Sequence, residues 1–257
     1  MKKTRAAEPL TPRRREQSSP CKREPAVRLA SFAALVILIF VSQPSAAAST
    51  PTKPYGKSQL EVILEDRPQL AAVLMERVEV RNWLVEELGR ENPRPLWDPS
   101  EPVSGRAAEH EYPSGTGKVP RGTALIRVSS ASPGWDQLAG LLFELHNLRR
   151  SASFEEIHQQ ALRGRIGKSE YVERLLQQEF AALQATREYL NEHLTGVPDA
   201  ARDGSTLFGQ ILDTEDTLDA HLEKYSQDGN DLRSHFEQLY EREVAPRVRR
   251  TDNTGGR

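Results

Sequence analysis

A chain of 257 residues is long enough for one domain with a real core and an appendage. Charged residues make up 28% of it and aromatic residues only 6%, a balance that favours soluble helices over a β-sandwich. Beyond residue 48 there are 26 basic and 34 acidic side chains, and that net charge of −8 excludes nucleic acid as the expected partner.

The first 48 residues are a different material. Met1–Arg28 carries nine Lys/Arg against three Glu, Leu29–Val41 is thirteen residues without a charge, and the stretch ends in Ala46-Ala47-Ala48. This is the layout of a secretory signal peptide, residues 1–48, with cleavage expected after Ala48. As a helix the apolar run spans about 20 Å, short of the ~30 Å hydrocarbon core of a bilayer. An uncleaved signal-anchor through residues 29–41 is the alternative, and is the one route by which a membrane enters. The expected address is therefore secreted, periplasmic or cell-envelope. The single cysteine, Cys21, lies in the removed segment, so the exported part has neither a disulfide nor thiol chemistry.

Residues 49–90 are expected to form a helical hairpin after a short Pro/Ser/Thr linker. One helix covers Ser58–Glu65, and a longer one runs from Pro68 to about Leu88 and stops at Gly89. Residues 91–122 are rich in Pro and Gly and are expected as a long irregular loop, with Ala107–Tyr112 as a short strand inside it. Trp97 and His110 lie in this loop and are expected at its surface. A helical core domain should occupy 123–244. Thr123–Ser129 alternates as a strand and feeds a helix at 134–150, with Ser132-Pro133 at its start. Leu138, Leu141, Leu142, Leu145 and Leu148 form one stripe of that helix; Gly140, Phe143, Glu144, Asn147 and Ser151 share a second face. Ser153 and Glu156 read as a capping box for a short helix stopped by Gly164. Gly167-Lys168-Ser169 resembles the end of a phosphate loop, but position 162 is Leu and no strand precedes it, so a nucleotide site is excluded. The longest helix, 168–194, carries Val172, Leu175, Leu176, Leu183, Leu190 and Leu194 on one stripe. Further helices are expected at Thr206–Tyr225 and Asp231–Val244, the last ended by Pro246, and 245–257 is expected as a disordered tail. The fold class is thus mainly α, an α+β chain with a small β element, built around helices 134–150 and 168–194.

Glu179 falls in the middle of an apolar stripe, so its carboxyl must be paired, metal-bound or protonated. An ion pair with Arg127, Arg149 or Arg187 is the expected partner. Glu144 is expected to bond a neighbouring helix or loop, and Asn147 to bond irregular backbone. His146 is expected on the helix flank, and His158, His193, His221 and His235 as surface or flank residues. The acid run Asp213, Glu215, Asp216 and Asp219 reads as a solvated helix face.

Strand, loop, then helix with Glu144 on a buried face resembles the zincin metallopeptidases. Their H-E-x-x-H helix aligns with Phe143-Glu144-Leu145-His146-Asn147. The resemblance covers Thr123–Leu194 and extends to zincin-like metallopeptidase domains of bacterial secreted and toxin-associated proteins. It implies Glu144 as general base and puts Glu179 where one branch has its third metal ligand. The two metal histidines, however, are replaced by Phe143 and Asn147, and His146 is turned about 100° from the motif position. What the resemblance implies is a form without the usual metal. The expected function is an exported bacterial-type envelope or secreted domain, non-catalytic, with Glu144, Asn147, Glu179 and His146 in a buried polar network and no cofactor. Two alternatives stand beside it. One is a divergent zinc-dependent hydrolase with Glu144 as base; the other is a helical module whose acidic 206–225 face takes a basic protein partner.

Overall fold

The computed structural model describes residues 52–102, 106–111, 122–226 and 232–248. The expected signal segment and the end of the expected tail lie outside them. Among the described residues no helix is long and apolar enough to cross a membrane. The architecture is mainly α, with a three-stranded sheet on one side.

The chain enters through α1 (Thr52–Asp66), α2 (Pro68–Leu74) and α3 (Val78–Leu88). The single helix expected from Pro68 to Leu88 is broken at Met75–Arg77, because its halves pack on different neighbours. Helix α2 lies on α4 (Gly134–Arg149), and α3 lies on α1. Arg77 at the break stacks over Trp135 of α4 at 4.8 Å.

The Pro/Gly-rich segment is more ordered than its composition suggests. It supplies β1 (Arg94–Trp97) and β2 (Ala108–Glu111), which flank β3 (Thr123–Val128) in the order β1-β3-β2. Strand β1 runs parallel to β3, with Leu96 beside Leu125; β2 runs antiparallel, with His110 beside Ile126. Alternation in β3 buries Ala124, Ile126 and Val128 against the helices and turns Arg127 to the outer face. There Arg127 binds Asp98 at 2.7 Å, Glu109 at 2.6 Å and Glu111 at 2.7 Å, tying β3 to β2 and to the end of β1.

Helix α4 is buried on nearly all sides, and its five-leucine stripe is at most 1% exposed. It meets the sheet closely at Gly140, where an added Cβ would stand 3.1 Å from both the N and the Cβ of Ala108. Its first-turn Asp136 accepts the Phe208 N–H at 3.0 Å and so fixes α7 (Leu207–Leu212). Helix α5 (Ser151–Leu162) follows almost without a gap. It begins ahead of Ser153, with no side-chain cap, so the expected capping box does not form. Gly164, at φ 66°, ends it as expected.

Helix α6 (Lys168–His193) connects two cores. Its first half, through Tyr171, Val172, Leu175 and Leu176, joins Phe154, Ile157, Phe236 and Leu239. Its second half, through Phe180, Leu183 and Leu190, joins the leucines of α4 and the sheet. The helix expected at 206–225 is two, α7 and α8 (Leu218–Ser226), separated at 213–217, where Asp213, Glu215 and Asp216 of the acid run lie. Helix α9 (Leu232–Leu239) widens into a π turn at Tyr240–Val244 and continues to Val248. Pro246 therefore does not end the helix. Lacking an N–H and crowding the carbonyl one turn back, it is accommodated just past the widened turn.

Candidate functional site

Gly140 and Glu144 are one turn apart on α4; Ala108 and His110 are two apart on β2. The close approach at Gly140 therefore brings the next turn of helix against the next inward residue of strand. There His110 Nδ1 meets Glu144 Oε2 at 2.6 Å. Both side chains are buried, at 4% exposure each. One turn further, Asn147 Nδ2 donates to Glu179 Oε2 of α6 at 3.0 Å, with Asn147 and Glu179 1% and 3% exposed. Arg106, just ahead of β2, is the cation of the cluster; its charge acts on Glu144, Glu109 and Glu179. Burial, and then the neighbouring Glu144, push the Glu179 carboxyl up to about 8, against the Asn147 hydrogen bond and Arg106.

Glu144, Asn147 and Glu179 are thus brought together as the sequence suggested, but their partners differ from those expected. Glu179 is held by Asn147, not by an arginine. Arg127 is taken by three carboxylates on the outer sheet face, Arg149 by Glu87 at 2.5 Å and Arg187 by Asp216 at 2.9 Å. Asn147 bonds a side chain, not irregular backbone. His146 is not part of the cluster. It is buried on another side of α4, its ring 5.1 Å from Trp83 and 6.3 Å from Tyr189. Burial first, then Arg149, lower it to about 4 against the pull of Glu87, so it is neutral. His110 is buried, not at a loop surface. His158 and His221 are buried too, against Tyr171 and Phe180.

His110 and Arg106 are the members that sequence reasoning missed. Alternation in Ala108-Glu109-His110-Glu111 was the available signal: if Ala108 faces the helix, so does His110. The acid run is less acidic in space than in sequence. Lys224 binds the Asp213 carboxylate at 2.7 Å and Glu215 at 3.3 Å, while Arg187 binds Asp216.

The residues present do not fit a zincin metal centre. Phe143 offers no donor atom, Asn147 offers only an amide oxygen, a poor zinc ligand, His146 faces Trp83, and His110 bonds the glutamate that would be the base. Among the described residues no three His, Cys, Asp or Glu side chains are grouped to hold a metal. Comparison with family models, curated proteins and solved structures finds no match.

Proposed function

We propose that this chain is an exported, non-catalytic helical domain, and that the Glu144 cluster is its internal fastening. The observation that carries this reading is the His110–Glu144 contact. A general base must face substrate or an activated water. Here the one carboxylate in the base position faces a buried histidine of its own edge strand at 2.6 Å. Together with Asn147–Glu179, that contact joins β2, α4 and α6 through a polar interior. The export half of the proposal rests on the basic, apolar and small-residue pattern of residues 1–48. N-terminal sequencing of the extracytoplasmic protein tests it; a mature chain beginning near Ser49 is expected, and an intact N-terminus in the membrane fraction would replace cleavage by anchoring.

Glu144→Gln tests the fastening. The amide keeps the shape but weakens a charge-assisted bond, so unfolding free energy should fall by about 1–3 kcal/mol. A hydrolase using Glu144 as base would instead keep its stability and lose turnover. Unchanged denaturation of the variant would remove the structural reading.

A further inference from the structure

The bond between Asn147 Nδ2 and Glu179 Oε2 leaves one oxygen over on each side. Glu179 Oε1 and Asn147 Oδ1 are both buried, and among the described residues neither has a hydrogen-bond partner. As a carboxylate and an amide oxygen, both could only accept, and two buried acceptors beside one bond are a costly arrangement. A single proton on Oε1 would turn one of these acceptors into a donor that the other can accept from.

We propose that Glu179 is a neutral carboxylic acid that closes a two-bond pair with Asn147, Nδ2–H to Oε2 and Oε1–H to Oδ1, forming a proton-dependent latch between α6 and α4. The latch lies where the two cores meet on α6, and it rests on the reading of the cluster as a fastening. The groups around Glu179 favour the acid. Glu144 of α4 repels its anion, and Arg106 opposes that effect from ahead of β2. Arg106 is itself shared with Glu109 of β2, lies near His235 of α9, and has lost proton affinity to burial. His110 of β2 is engaged with Glu144. Arg150, at the start of α5, donates to the Ala181 carbonyl at 3.2 Å, and His221 of α8 lies on Phe180. Burial and Glu144 push its carboxyl up, to about 8, in the direction of the acid.

The sign follows from linkage. With an ordinary carboxyl value near 4.5 when unfolded and about 8 when folded, the native state binds the extra proton between those values. The contribution to stability is full below about pH 4.5, declines as pH rises, and is gone above about pH 8. Calorimetric unfolding of the full chain at about pH 7, in phosphate and in Tris, counts the protons released. Wild type should release about one more than Glu179→Gln, whose amide keeps the two-bond pair with nothing to titrate. Equal counts would overturn the latch. If the variant fails to fold, infrared spectra of native wild type decide. A protonated-carboxyl C=O band should be present at about pH 6 and lost near pH 8 while the fold persists; its absence at about pH 6 overturns the proposal. Failure of the fastening reading, an unchanged Glu144→Gln, leaves this proton count intact, so the two failures are separable.

Discussion

A single missing Cβ sets how closely the helix and strand of the polar cluster approach; one added at Gly140 would stand 3.1 Å from Ala108, which would have to give way. Gly140 lets α4 descend onto Ala108, and that descent is what puts Glu144 within reach of His110. Gly140→Val should push helix from strand, cost about 1–3 kcal/mol as overpacking, and lengthen the His110–Glu144 contact. Chemical denaturation reads the first effect and the His110 ring shifts in NMR read the second. A Val variant with native stability and unmoved shifts would show that the helix can slide without loosening the pair. Glu144, Asn147 and Glu179 were legible in sequence because each is a polar residue placed by the helical period among leucines. Their partners were not, because which arginine or histidine arrives from a distant element depends on strand register and helix approach. Arg127, Arg149 and Arg187 each lay at a plausible sequence position for Glu179, and each is held by other acids.

At the scale of elements, apolar periodicity located the helices well and their breaks poorly. The stripe of residues 68–88 is continuous in sequence, yet α2 and α3 turn to different neighbours at Met75–Arg77. Proline content hid β1, since its segment reads as loop, while the strand expected at Ala107–Tyr112 is present as β2; both short strands are completed by pairing with β3. What holds so short a sheet is the Arg127 clamp. Its side chain is 13% exposed and draws carboxylates from β2 and from the end of β1. Arg127→Leu removes the guanidinium that Asp98, Glu109 and Glu111 share. The expected loss is about 2–3 kcal/mol, below the ~3–5 kcal/mol of a fully buried pair because Asp98 and Glu111 reach water. Urea denaturation of the variant measures it. A loss under about 0.5 kcal/mol would mean that backbone pairing and the α4 contact suffice.

Across the whole molecule, burial of neutral histidines sets an acid limit on the fold. His146 packs on the core around α4 and the sheet, His158 on the core around Phe154 and Tyr171, and His221 on Phe180 of the helix that joins them. All three are lowered to about 4, chiefly by burial, with Arg149, Arg247 and Lys224 respectively adding to the shift. Unfolded, each returns to about 6.5, so between about pH 6.5 and 4 the unfolded chain binds more protons than the native one. The histidines' contribution to stability is therefore full above about pH 6.5 and falls as pH drops, by up to about 1.4 kcal/mol per pH unit for each of them. The Glu179 latch runs the other way over part of this range, gaining as pH falls, but it offsets only one proton against three. Thermal melts from about pH 7 to 4 should show the midpoint falling with acid, and His158→Phe should have a shallower fall than wild type. Because α6 carries both cores, the loss should be one transition and not two. A midpoint that holds steady to about pH 4, or two separated melts, would show that the cores neither share the acid limit nor unfold together.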